Sequence, residues 1–196
     1  MIRELNYNDV FDAQEHFRLI MNGMANPGQV QVLDGELSPV EGCCKASALV
    51  GFSLLDGNTC FYQNYSEDLD RYFILNTASR PTTPAQADFL FIKENDPIEE
   101  TIEAAKEGEL EYPEKGAFLV LEVQKIATEP FSKSLAITLK GPGVKGEEII
   151  HVGGLRKKTL QAIKDKNMEY PLGVDTILTD PSGKMVGIPR SNQFTF

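Results

Sequence analysis

The fold is decided in the stretch Leu135–Leu155, LAITLKGPGVKGEEIIHVGGL. Leu135, Ile137 and Leu139 alternate with small or polar residues, and this period of two is typical of a strand with one buried face. A second strand is predicted over residues 147–152. The stretch therefore predicts two strands joined by a short connection, with a helix beginning at its end.

The connection begins with Gly141-Pro142-Gly143. Proline fixes its own φ and donates no amide hydrogen, and glycine reaches backbone angles that other residues avoid, so a sharp turn is predicted. Strand ends hold ligands in open α/β sheets, and a glycine turn can present backbone amides to an anion. The plain alternative, which a single Gly-Pro-Gly favours, is a tight connector without a ligand.

Helical periodicity and capping residues predict five helices. The first runs from Asp9 to Met24, and Pro27 and Gly28 follow its end. Its apolar residues at helical spacing are Val10, Ala13, Phe17, Ile20, Met21 and Met24. The second opens with the cap Ser38-Pro39-Val40-Glu41 and ends near Leu55. The other helices are predicted over residues 66–75, from the cap at 96–99 to about residue 108, and over 155–166.

Short apolar runs between the helices predict the remaining strands, over residues 29–33, 59–63, 88–92, 117–123, 175–178 and 185–188. The runs DFLFI and AFLVLEV are nearly continuous, as expected of strands covered on both faces. Asp180-Pro181-Ser182-Gly183 has the composition of a hairpin turn. The mixture predicts a three-layer α/β domain spanning residues 1–196, with one mixed sheet and helices on both faces.

Composition excludes several classes of function. The net charge of −10 argues against nucleic acid, which selects basic surfaces, although a basic protein partner remains compatible with it. No apolar run reaches membrane-spanning length and the N-terminus lacks a signal-peptide pattern, so we expect a cytoplasmic protein that does not enter membranes.

Cysteines and histidines are few and scattered. Cys43, Cys44 and Cys60 fit a reducing compartment, and the adjacent pair lies in a helical pattern without metal-ligand spacing, which favours core packing. His16 and His151 are too distant in sequence to indicate a metal site. No phosphate loop, dinucleotide fingerprint or Gly-x-Ser-x-Gly elbow occurs, so no catalytic motif stands alone.

A set of short motifs, each weak alone, resembles one family in its order along nearly the whole chain. The set is Phe17-Arg18 with Met21, Met24-Ala25-Asn26-Pro27-Gly28, Leu54-Leu55-Asp56, Ala87-Asp88-Phe89, Gly108 with Glu111-Tyr112-Pro113-Glu114 and Gly116-Ala117, Leu139-Lys140-Gly141-Pro142-Gly143, Pro171-Leu172-Gly173-Val174-Asp175, and Pro189-Arg190. It resembles PhnH, the H subunit of the bacterial carbon–phosphorus lyase core complex. Ser191-Asn192 departs from that pattern.

The resemblance implies a role in alkylphosphonate catabolism, in a complex that joins a phosphonate to the ribose of ATP. It implies a homodimer that docks onto the G, I and J subunits, with phosphonate or nucleotide met through the complex. It also implies a fold similar to the large domain of pyridoxal-phosphate-dependent transferases, without that cofactor. The H subunit of the family has no established catalysis of its own, and the radical iron–sulfur chemistry belongs to the J subunit.

The candidate contact residues come from these motifs. Arg18 and Arg190 follow Phe17 and Pro189, which orient the chain, and each arginine offers planar donors to a carboxylate or phosphate. The alternative is an ordinary surface charge or a local salt bridge, which is favoured for Arg190. The full set of candidate ligand or partner contacts is Arg18, Pro27, Gly28, Gly141, Pro142, Gly143, Asp175 and Arg190.

Two other functions are compatible with the sequence. One is a stand-alone transferase-like enzyme, in which Asp175 is the acid opposite a pyridoxal ring, although no lysine has a convincing Schiff-base setting. The other is a phosphate- or nucleotide-binding module built on Gly141-Pro142-Gly143. The leading hypothesis is a supporting subunit of an enzyme complex.

Overall fold

The computed structural model describes residues 7–8, 10–35, 37, 42–94 and 98–196. The helices in these ranges are α1 Phe11–Ala25, α2 Lys45–Leu54, α3 Glu67–Thr77, α4 Glu99–Ala104 and α5 Lys157–Lys166. The strands are β1 Gln31–Val32, β2 Cys60–Gln63, β3 Arg80–Pro81, β4 Phe89–Lys93, β5 Phe118–Glu122, β6 Lys125–Ala127, β7 Leu135–Lys140, β8 Glu148–Gly153, β9 Asp175–Thr179, β10 Lys184–Ile188 and β11 Gln193–Thr195.

The larger sheet has seven strands in the order β1-β10-β9-β5-β4-β2-β3. Its five strands from β9 to β3 are mutually parallel, whereas β10 is antiparallel to both β9 and β1. The sheet is therefore mixed, which confirms the α/β class. The predicted hairpin at Asp180-Pro181-Ser182-Gly183 is also confirmed, since it joins β9 to β10.

The stretch Leu135–Leu155 belongs to a second sheet, so the expectation of one sheet was wrong. This smaller sheet is antiparallel throughout and has the order β11-β7-β8-β6. β7 and β8 pair as predicted, with Leu139 opposite Glu148. Alternation in β7 shows only that one face is buried, and the three-residue strands β6 and β11 are too short to show a period.

Each face of the larger sheet covers a core. On one face Phe91, Val120 and Ile177 pack with α1, α2 and α3. On the other face Leu90 and Leu121 pack with α4, α5 and the inner side of the smaller sheet. Alternate residues of the same strands thus enter opposite cores, which is why these strands read as continuous apolar runs. Helices on both faces are as predicted.

The buried face of α1 differs from the predicted one. The expected apolar face was Val10, Ala13, Phe17, Ile20, Met21 and Met24, yet the buried residues are His16, Ile20 and Gly23. A Cβ on Gly23 would lie 2.8 Å from Met185 Cε, and one on Gly187 would lie 2.6 Å from the Gly23 carbonyl oxygen. This close glycine contact rotates the helix, leaving Phe17 47% and Met21 54% exposed.

Side chains of the N-cap residues cap the starts of α2 and α3. Ser66 caps α3 as predicted, accepting from the Leu69 amide at 3.3 Å. The predicted cap Ser38-Pro39-Val40-Glu41 lies outside the described residues. α2 begins at Lys45 with Cys44 as its extended N-cap, so Cys43 and Cys44 precede the helix and the expectation that they lie within it was wrong.

Candidate functional site

Five candidate residues meet where the β7–β8 connection touches the end of α1. Gly143 has φ +79°, and a Cβ there would collide with the Ala25 carbonyl oxygen and lie 2.8 Å from Pro27 Cδ. Gly28 has φ +88°, and a Cβ there would lie 2.8 Å from Glu148 Cβ. The glycines are needed here because two backbone segments approach closely. We call this the turn–helix contact: Pro27, Gly28, Gly141, Pro142 and Gly143.

Asn192 fixes the turn from the other side. Its amide nitrogen donates to the Pro142 carbonyl oxygen at 3.0 Å and to the Lys140 carbonyl oxygen at 3.4 Å. Gly141, at φ +131°, allows this approach, since a Cβ there would lie 3.0 Å from Asn192 Nδ2. The turn carbonyls are therefore held by a buried side chain, as expected of a structural connection.

Arg190, two residues before Asn192, forms a salt bridge with Asp175 at the start of β9. Arg190 donates from Nη2 to Asp175 Oδ2 at 2.7 Å and from its backbone amide to Oδ1 at 2.9 Å. Its Nη1 donates to the Pro113 carbonyl oxygen at 2.8 Å. The side chains are only 10% and 17% exposed. Arg190 thus ties the starts of β9 and β11 to the Pro113 turn, and its donors are directed inward.

Arg18 lies apart from the other candidates. It is exposed on the outer side of α1, where it lines a shallow surface groove with Phe11, Gln14, Glu15, Leu19 and Asn22. The structure therefore brings together the turn–helix contact and, through the segment Pro189–Asn192, the Asp175–Arg190 pair. It does not bring Arg18 to them.

This assembled region connects the two sheets. Cavities of about 490 and 270 Å³ open beside Arg190, Ser191 and Tyr170. Among the described residues of this region, no nucleophile lies within hydrogen-bond reach of a general base, which is the arrangement that covalent catalysis by a side chain uses. Within the described residues, no group of three metal-ligating side chains is present either.

A second polar group, which sequence reasoning missed, lies at the carboxyl ends of the parallel strands. Glu122 ends β5 and is 6% exposed; its Oε2 accepts from the Cys44 amide at 2.8 Å. Lys93, ending β4, lies 3.5 Å from Glu122 Oε1, and Ser47 and Thr179 share a hydrogen bond of 2.7 Å. The available signal was a carboxylate closing the otherwise apolar run FLVLE.

The two cysteine thiols and the tyrosine hydroxyl of this second region are held neutral. Burial raises the pKa of the Cys44 thiol to about 11, and the nearby Glu122 carboxylate adds to this effect. Burial likewise raises the pKa values of Cys43 and Tyr65. Protonated, buried thiols are poor nucleophiles. We therefore interpret this region as a packing contact between α2 and the larger sheet.

Comparison with known proteins agrees with the motifs. A family model described as "Bacterial phosphonate metabolism protein (PhnH)" matches residues 6–195. This chain belongs to the PhnH family. A Stutzerimonas stutzeri protein named as a C-P lyase subunit, HtxG, is 29% identical over 179 residues, covering 91% of this chain and 83% of that protein.

A second relative comes from Rhizobium meliloti (strain 1021). It is named alpha-D-ribose 1-methylphosphonate 5-triphosphate synthase subunit PhnH and is 26% identical over 174 residues, covering 87% of this chain and 84% of the relative. The match to the PhnH family spans both sheets, including the turn–helix contact and the Asp175–Arg190 pair.

Proposed function

We propose that this PhnH-family chain is a supporting, non-catalytic subunit of a carbon–phosphorus lyase complex that couples phosphonates to the ribose of ATP. The observation that carries the proposal is the family match over residues 6–195, together with two relatives that are both named as complex subunits.

The contacts of the candidate residues favour a structural, non-catalytic role. Internal hydrogen bonds engage the polar side-chain atoms of Arg190, Asp175 and Asn192. The glycines allow backbone segments to approach each other closely. Among the described residues, no helix is long and apolar enough to cross a membrane. The proposal has the chain acting as one cytoplasmic domain without a cofactor of its own.

The proposed partners are the G, I and J subunits of the complex and a second copy of this chain. The acidic net charge of −10 suits contact with basic protein surfaces, and the apolar residues exposed on α1 suit a protein interface. Phosphonate or nucleotide would then be met through the complex. The proposal also includes a fold like the large domain of pyridoxal-phosphate-dependent transferases, which the parallel strands and flanking helices support.

The test combines growth and assembly. The gene is deleted from its own host, and growth is measured with methylphosphonate as the phosphorus source and, as control, with inorganic phosphate. The tagged chain is then expressed with the host's other complex subunits and purified. We expect growth to fail on methylphosphonate alone and the subunits to co-purify. Normal growth of the deletion strain, or a chain recovered without partners, would contradict the proposal.

A further inference from the structure

The edge strands of the two sheets differ in whether their outward backbone groups are blocked. Exposed edges invite pairing with other chains, and proteins usually block them. β3 contains Pro81, which donates no hydrogen bond. At β6 the Ile126 amide donates to Asp180 Oδ2 at 2.8 Å, and its carbonyl accepts from Lys184 Nζ at 3.0 Å. Side chains thus cap the β6 edge of the smaller sheet.

The opposite edge of the same sheet, β11, is open. β11 pairs with β7 on its inner side, with Phe194 opposite Leu139. In antiparallel pairs successive residues alternate in direction, so at least one residue of β11 points its amide and carbonyl away from β7. In the part of the chain that the structure describes, these outward groups have no hydrogen-bond partner.

A groove follows this open edge. One wall is the segment 190–195, and the other is the end of α5 and the turn after it, formed by Lys164, Asn167, Met168 and Tyr170. The groove has a volume of about 490 Å³. Met168 is 75% and Tyr170 66% exposed, which gives the outer wall an apolar surface that stands in solvent. We call this the β11 groove.

We propose that the β11 groove binds an extended, largely apolar segment of another complex subunit that carries one carboxylate, and that this segment adds to the smaller sheet as a fifth strand. The proposal rests on the proposed function, since that supplies the partner. Strand addition satisfies the outward backbone groups of β11, and apolar side chains of the segment contact Met168 and Tyr170. Lys164 is exposed and has no ion-pair partner among the described residues, so it selects a carboxylate on the segment.

The occupant is a single extended segment because the groove has two walls. A second copy of this chain would present β11 as part of a folded sheet, with its own α5 wall alongside. A free segment needs only the width of one strand, about 4.8 Å from β11. The segment therefore matches the groove better than the edge of another folded sheet.

The test uses the complex purified by co-expression with the host's other subunits. Amide hydrogen exchange is measured for residues 193–195 in the isolated chain and in the complex, and we expect the outward amides to slow by about tenfold or more. Met168→Glu and Lys164→Glu should keep the wild-type melting temperature and reduce recovery of the partner subunits by about tenfold. Leu75→Glu is the control, because Leu75 is 60% exposed on α3, on the other side of the larger sheet.

The outcomes separate this inference from the proposed function. If the wild-type chain recovers no partner subunits, the proposed function itself fails. If it recovers them while residues 193–195 exchange at the same rate and both groove variants behave like Leu75→Glu, strand addition is wrong. If those amides become protected in the isolated chain as its concentration rises, the occupant is a second copy and the proposal is overturned.

Discussion

At the scale of single residues, Gly143 in the turn–helix contact is required for two reasons: its positive φ and its close approach to the Ala25 carbonyl. Gly143 and Gly146 have nearly the same φ, +79° and +81°, but only Gly143 faces the Ala25 carbonyl, whereas Gly146 has open space around it. Gly146→Ala should lower the free energy of unfolding by the left-handed penalty, about 1–2 kcal/mol. Gly143→Ala should cost clearly more, as measured by urea unfolding. Equal losses would show that the close contact carries no energy.

Arg190 is expected to matter to folding before it matters to any ligand. Arg190→Ala keeps the backbone donor to Asp175 Oδ1 but leaves Asp175 Oδ2 and the Pro113 carbonyl without their side-chain donors. Because the arginine is only 10% exposed, we expect a loss of about 3 kcal/mol in unfolding free energy. Arg71→Ala is the control, since its ion pair with Asp68 is exposed and should contribute about 0–1 kcal/mol. If Arg190→Ala keeps the wild-type melting temperature, Arg190 is not needed for stability, and the hypothesis that it contacts a ligand is favoured instead.

The buried thiols predict a pH dependence. With the pKa of Cys44 raised to about 11, about one thiol in a thousand is ionised at pH 8, so iodoacetamide should modify Cys44 far more slowly in native protein than in urea. The raised pKa means that the folded state holds this proton more tightly. Its contribution to stability is therefore complete below the ordinary value near 9 and is lost as the pH rises towards about 11. Peptide mapping by mass spectrometry that finds native Cys44 alkylated as fast as unfolded Cys44 would contradict this.

At the scale of elements, local pattern predicted those whose determinants are local. The runs in β4 and β5, the alternation in β7 and the Ser66 cap are all read from neighbouring residues. The face of α1 was wrong because its burial is set by Gly23 meeting Gly187, a contact across the chain that hydrophobic periodicity does not register. β11 was missed since three residues carry no period, although its pairing with β7 completes the smaller sheet.

The cap on the β6 edge gives a prediction for an element. Asp180 is 1% exposed and accepts from the Ile126 amide as well as from the Ser182 hydroxyl at 2.6 Å. Asp180→Ala should leave the buried Ile126 amide unsatisfied, costing about 1–3 kcal/mol, and should speed exchange of that amide. The control is Asp56→Ala, because Asp56 is exposed and its side chain accepts from Asn58 within a turn. Unchanged exchange at Ile126 would show that the edge is protected by something other than Asp180.

At the scale of the whole molecule, the candidate site is made by the meeting of two sheets. Asp175 and Arg190 come from strand ends 15 residues apart in sequence, whereas Pro27 reaches Gly143 from the far end of the chain. The resemblance named these residues as a set, but single-sequence patterns gave no distance between them. Spacing alone therefore could not tell the assembled residues from Arg18, which lies on its own on α1.

The exposed side of α1 carries the last prediction, which concerns the isolated chain in solution. Phe17 and Met21 lie one turn apart on α1 and are about half exposed, and Val10, in line with them just before the helix, is 69% exposed. The other side of the helix packs on β10. Large apolar side chains grouped on one helix face are typical of a protein interface, so we expect a homodimer that buries this face. Each copy carries a net charge of −10, and salt should strengthen association by screening the repulsion. Light scattering at micromolar concentration should give the dimer mass, Phe17→Glu should give the monomer mass, and Leu75→Glu should leave the dimer intact. A wild-type monomer at all salt concentrations, or a dimer unaffected by Phe17→Glu, would show that α1 is not the dimer interface.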